Sequence, residues 1–192
     1  MKTKGEKIVK FINGQLHEYT LYKLIDKYNP ILKQKAKEFD FQNPPNHPAD
    51  LAISLAETMG KNGGIGLAAP QVGIPYRVFA MGLIQLDRQK EEKKMNVITL
   101  FNPEIIYKSD NKAKALEGCL TFPGMYLEVE RPFEIKVRFQ NHFGNYMEMT
   151  LYGIDARCAL HEYDHLDGIL FIDRVTNIKS YMSGSEYRKM KK

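Results

Sequence analysis

The sequence predicts an α+β fold in which antiparallel β-sheets pack around one central helix from the C-terminal third. Three observations predict it. Short apolar, strand-like runs recur between residues 77 and 152. Among them, Ile135, Val137 and Phe139 alternate with Lys136 and Arg138, the period-two pattern of a strand buried on one face. From about Asp155 the period lengthens. Ile154, Cys158, His161 and His165 fall at i, i+4, i+7 and i+11, one face of a helix carrying His161-Glu162-Tyr163-Asp164-His165.

Taken in order, residues 1–45 are mixed and Lys-rich, without sustained periodicity. Asn46, Pro48 and Asp50 are helix-start signals, and Leu51, Leu55 and Met59 follow at spacing four to form an apolar stripe. That helix runs out at Gly60, and the chain turns through Asn62-Gly63-Gly64. Arg77–Met81 is short and apolar enough for a strand. Residues 84–96, rich in Lys, Arg, Glu and Asp, read as a solvated loop. Strand-like runs then recur at 97–101, 104–108, 113–118, 126–130, 134–139 and 146–152, with a hairpin turn at Asn141–Asn145. Gly168 is a stop for the last long helix, and the stretch from Ser183 reads as a short basic helix or a frayed tail.

The chain has 192 residues, and residues 1–192 are expected to form a single domain. No window carries the roughly 18 consecutive apolar residues of a membrane span. The opening MKTKGEKIVKFING has positive charges but no apolar run behind them, so a cytoplasmic location is expected. Lys+Arg 28 against Asp+Glu 23 leaves +5, too small an excess to argue for nucleic-acid readout. Only the tail clusters its charge, at Arg188, Lys189, Lys191 and Lys192. Two cysteines, Cys119 and Cys158, make no disulfide framework and read as reduced thiols.

The chemistry concentrates in three stretches. In His161-Glu162-Tyr163-Asp164-His165, spacing of four places two imidazoles one turn apart, where both reach one metal ion. Glu162 stands one step round the helix, beside the metal, placed to move a proton. The bland alternative, two solvated histidines on a surface helix, is disfavoured because the chain has only 5 histidines and two hold ligand spacing. A third ligand is needed. Asp167, Asp173 and Glu186 lie downstream, as in a zincin-type peptidase, whereas Cys119 lies upstream in Glu117-Gly118-Cys119-Leu120-Thr121. A thiolate suits Fe, Co, Ni or Zn, although a cysteine in a strand-like run is more often a buried small hydrophobe. The third stretch, Gly64-Ile65-Gly66-Leu67-Ala68-Ala69-Pro70-Gln71-Val72-Gly73, is neither a P-loop nor a dinucleotide fingerprint. Its small residues let backbone approach a ligand, and Gln71 offers an amide donor.

Together, GIGLAAPQ, EGCLT and HEYDH resemble the three motifs of the peptide deformylase family, in the family's order. Asn29-Pro30-Ile31-Leu32, Arg131-Pro132 and Leu166–Phe171 extend the likeness over residues 24–174. The resemblance implies a metal held by Cys119, His161 and His165, usually Fe(II), with Ni, Co or Zn as substitutes. It implies removal of the formyl group from N-formylmethionyl peptides. Glu162 is then the proton-transfer residue, and Gln71 and the Leu120 N–H are oxyanion donors. Gly64, Ile65, Gly66 and Gly118 would meet the substrate backbone, and Ile65, Ile154 and Cys158 the methionine pocket. Glu117 and Arg131 match a family ion pair. Two positions depart from the pattern: Thr121 where Ser is usual, and Leu160 where Gln is frequent. Docking on the ribosome through the basic C-terminus is a further implication.

Overall fold

A computed structural model describes residues 4–12, 15–87 and 92–190. The chain opens on a hairpin, β1 (Gly5–Ile12) and β2 (Gln15–Tyr22), paired from Gly5↔Tyr22 to Ile12↔Gln15. This hairpin was not expected from the sequence, which shows no long period there. In the sequence, Asn13-Gly14, a strong hairpin dipeptide, stands between the two runs, although both residues lie outside the described residues. Helix α1 (Pro48–Lys61) follows, started by Pro48 at its first position and by Asp50 in its first turn. It packs along the outer edge of β2. The hydroxyls of Ser54 and Thr58 accept the N–H groups of Thr20 (2.9 Å) and Tyr22 (3.0 Å).

The main sheet has five strands in the order β3-β4-β5-β8-β9, all neighbours antiparallel. Its members are β3 (Gly66–Ala68), β4 (Val78–Asp87), β5 (Glu92–Lys108), β8 (Glu134–Gln140) and β9 (Tyr146–Tyr152). A smaller sheet, order β10-β7-β6, uses β6 (Lys112–Cys119), β7 (Phe122–Pro132) and β10 (Met182–Ser183). The chain ends in α3 (Gly184–Met190).

Two expectations are corrected here. Residues 84–87 and 92–96 are not a loop. They extend β4 and β5 as a ribbon, paired as far as Asp87↔Glu92, while residues 88–91 of the expected loop lie outside the described residues. Charged composition resembles a loop, but a two-stranded ribbon needs only its backbone ladder. Runs 97–101 and 104–108 are likewise one strand, irregular in register between them. Asn102 takes φ 47° at the break, and its side chain satisfies both the N–H and the carbonyl of Phe39.

The central helix α2 (Gly153–Leu166) follows β9 with no connecting residue. Gly153, at φ 52°, makes the corner and donates its N–H to the Phe133 carbonyl (2.7 Å). Around the start of β4 the main sheet is covered on both faces, which explains why residues 78–81 read as a continuous apolar run. Phe79 and Met81 join the core against α2, with Leu100, Ile135, Val137 and Ala159. Val78 and Ala80 join the opposite core against α1, with Leu51, Leu55, Met59 and Phe101. Leu160, where the resemblance favours a polar residue, packs in the α2-side core at 5% exposure. No described helix is long and apolar enough to cross a membrane.

Candidate metal centre and active site

Helix α2 is buried on most sides, although its composition is not apolar. Arg157, His161, Glu162, Asp164 and His165 are all buried along it. Burying so many polar groups is tolerable only if they are paired or hold a ligand. The small sheet delivers Cys119 at the end of β6, where the register with β7 shifts between Gly118 and Cys119. The ligand atoms of Cys119, His161 and His165 lie within 4.8 Å of one another, and all three residues are buried. The Cys119 Sγ is 3.3 Å from His165 Nε2. Burial disfavours its thiolate, but the charge of His165 and the hydrogen bond and charge of His161 outweigh that. The thiol therefore sits well below its ordinary value.

The donor set fits a metal ion on two counts. His161 presents Nδ1 to Glu117 Oε2 at 3.0 Å, which orients the ring and leaves Nε2 for a ligand. One sulfur and two imidazoles are the donors that Fe, Co, Ni and Zn accept. The downstream carboxylates are engaged elsewhere. Asp167 pairs with Arg77 (2.7 Å), Asp173 with Lys33 (2.5 Å), and Glu186 with Ser183. The third donor beside the histidines is thus the upstream cysteine.

Glu117 is the hub of a buried ion network. Arg131 grips it through Nε (2.7 Å) and Nη2 (2.9 Å) and extends Nη1 to Asp164 (2.8 Å). Asp164 is also held by Arg174 (2.7 Å). Arg157 donates to Glu117 (2.7 Å) and to the carbonyls of Val129 (2.8 Å) and Ala113 (2.5 Å). Burial opposes ionisation of Glu117, yet the hydrogen bonds from His161 and Arg131 and their charges hold its carboxyl down at about 2. Sequence reasoning found Glu117 and Arg131 but missed Arg157, Asp164 and Arg174. The signal for Arg157 was its position four residues before His161, on the ligand-bearing side of the helix.

Glu162 is 4% exposed, and its Oε2 has no hydrogen-bond partner among the described residues. Burial raises its carboxyl to about 7, against the pull of the nearby histidines, so it both holds and releases a proton near neutrality. Gly66 makes this placement possible. A Cβ there would lie 2.2 Å from Glu162 Oε1 and 2.9 Å from Cys158 Sγ. Gly66→Ala is expected to push the carboxylate out of place and lower turnover at least about tenfold, with metal content unchanged. Steady-state kinetics and metal analysis on one preparation check this.

Gln71 lies in a 3-10 turn, Ala69–Val72, at 1% exposure. Its Oε1 accepts the Ala68 N–H (2.8 Å), which turns Nε2 towards Cys119 Sγ (3.4 Å) and Thr121 Oγ1 (3.1 Å). The Thr121 hydroxyl thus serves as an acceptor in this environment. Burial keeps the Cys158 thiol protonated, well above the ordinary value, and it donates to the Ile65 carbonyl (3.3 Å). Gly64, Ile65, Gly66, Gly118, Leu120 and Ile154 line one cleft of about 550 Å³ with Gln71, Cys158 and Glu162. Ile65 and Ile154 remain 42% and 47% exposed at its rim.

A thiol and two imidazoles converging beside a buried carboxylate, on antiparallel sheets around a helix, make the donor set and proton carrier that a metal-dependent hydrolase requires. The polypeptide deformylase family model matches residues 21–181, and the chain belongs to that family. A peptide deformylase of Desulforudis audaxviator is 39% identical over 158 residues, 82% of this chain and 96% of that protein. The crystal structure of peptide deformylase from Thermotoga maritima superposes with TM-score 0.72 at 36% identity, covering 82% of this chain and 99% of that one. A Met-Ala-Ser-bound class I type b peptide deformylase from Acinetobacter baumannii gives TM-score 0.71 at 32% identity, covering 80% and 97%.

Proposed function

We propose that this chain hydrolyses the formyl amide of N-formylmethionyl peptides, releasing formate and a free N-terminal methionine. The observation that carries the reading is the convergence of Cys119, His161 and His165 within 4.8 Å. Those residues would hold the ion, Fe(II) in the cell with Ni, Co or Zn as substitutes. Bound there, a divalent cation supplies Lewis acidity that makes water reactive near neutral pH. Glu162 takes the proton of the attacking water and returns it to the departing amine, so the C–N bond breaks with a neutral leaving group. The Gln71 amide and the Leu120 N–H donate to the oxygen that gains charge. The backbone at Gly64–Gly66 and Gly118 pairs with the extended peptide, between the edge strands β3 and β6. Ile65, Ile154 and Cys158 wall the methionine side chain. That the Acinetobacter relative is bound to Met-Ala-Ser supports a peptide substrate.

The reading extends to a cytoplasmic enzyme working near the ribosome. Its basic C-terminal residues, of which Lys191 and Lys192 lie outside the described residues, would supply the contact. Anaerobic purification, metal analysis and formate release from formyl-Met-Ala-Ser test the activity. Turnover with Fe, Ni or Co restored is expected, and none with any of the three overturns the proposal. Cys119→Ser is expected to weaken metal binding at least about a hundredfold, measured by competition with a chelator. Retention of the wild-type affinity would return the third ligand to a carboxylate and the enzyme to the peptidases.

A further inference from the structure

The cleft is also lined by two tyrosines that neither the motifs nor the proton-transfer chemistry uses. Tyr126 on β7 stands in register with Gly118 of β6 and with Met182 of β10. Tyr187 comes from α3. The two rings stack with centroids 3.9 Å apart and planes 13° from parallel. Both are half-buried, and both line the cleft together with Gly118, Cys119 and Glu162. A Cβ on Gly118 would lie 2.6 Å from the Tyr126 ring, so the ring rests on the β6 backbone one residue before Cys119.

Helix α3 is seated so that it presents Tyr187 there. β10 pairs with β7 through Met182↔Tyr126 and Ser183↔Met125 immediately before the helix begins. A Cβ on Gly184 would come within 3.2 Å of Gly124 Cα, a close approach that glycine permits. Ser183 closes the first turn, its N–H donating to Glu186 Oε2 (2.8 Å).

We propose that the stacked Tyr126–Tyr187 pair is a specificity-determining wall that favours an apolar or aromatic side chain in the two residues after the formylated methionine. The inference rests on the deformylase reading. A peptide with its formyl carbon beside Cys119 advances about 3.3 Å per residue when extended. If its backbone runs along Gly118, it meets the Tyr126 ring within one or two residues. Both rings line the cleft there, and stacking or apolar cover is what a tyrosine ring rewards. Half of the wall belongs to the C-terminal helix, which makes α3 part of the substrate site.

The test is steady-state kinetics of the nickel-loaded enzyme on formyl-Met-Ala-Gly, formyl-Met-Phe-Gly and formyl-Met-Ala-Phe. The expected result is a preference of about five- to tenfold in kcat/KM, carried by KM, for at least one phenylalanine peptide over the glycine control. Tyr187→Ala erases that preference, whereas Tyr187→Phe retains it. A Tyr187→Ala variant that loses activity equally on all three peptides assigns Tyr187 a structural role and overturns the proposal. So does a wild-type enzyme without the preference. Formate from no peptide strikes down the deformylase reading and the wall with it, while turnover without preference strikes down the wall alone.

Discussion

Replacing Glu162 with alanine is expected to leave the protein folded and able to load a divalent ion, and to lower turnover by about 10²–10⁴-fold. The reason lies in what surrounds the carboxylate. It is buried, Gly66 gives it room, and its free oxygen has no hydrogen-bond partner among the described residues. It therefore braces nothing that its removal would collapse. Burial has raised its carboxyl to about 7, which suits the proton-transfer role proposed for it. Metal analysis and formate release on the same sample check both halves. Glu162→Gln, which keeps the volume, is expected to be as inactive as the alanine variant. Activity within about threefold of wild type in either variant would remove Glu162 from proton transfer.

The second large effect is expected at Arg131. Arg131→Met leaves Glu117 and Asp164 buried without the guanidinium that joins them, and breaking a buried pair in this way costs about 3–5 kcal/mol. The lower end is expected, because Arg157 still reaches Glu117 and Arg174 still reaches Asp164. Denaturant unfolding of the metal-free protein measures it. The same substitution loosens the carboxylate that orients His161, so metal affinity should fall about 10–100-fold. Arg131→Lys restores charge but not the two-pronged grip and should recover only part of either loss.

Much of the site was legible because its residues are local or carry strong chemistry. Spacing of four within α2 is enough to put His161 and His165 together, and scarcity of histidine makes the pair conspicuous. Cys119 is a different case. Nothing near it in the chain distinguishes a ligand from a buried thiol, and only the fold brings β6 against α2. Arg157, Asp164 and Arg174 escaped notice for a related reason, since charged residues on a helix read as solvated until a neighbouring carboxylate is known to be buried. The alternation of β8 was plain because one face packs on the core. The ribbon at 84–87 and 92–96 was not, since strand pairing leaves no mark in composition when the segment is rich in charge. Tyr126 and Tyr187 are 61 positions apart in the sequence, and no local period connects them.

The outer border of the opening hairpin is partly covered. The outward N–H groups of Thr20 and Tyr22 would be an invitation to another chain's strand, but Ser54 and Thr58 of α1 occupy them. Two small hydroxyls thus blunt an adhesive border, and their loss would show first as self-association in concentrated solution.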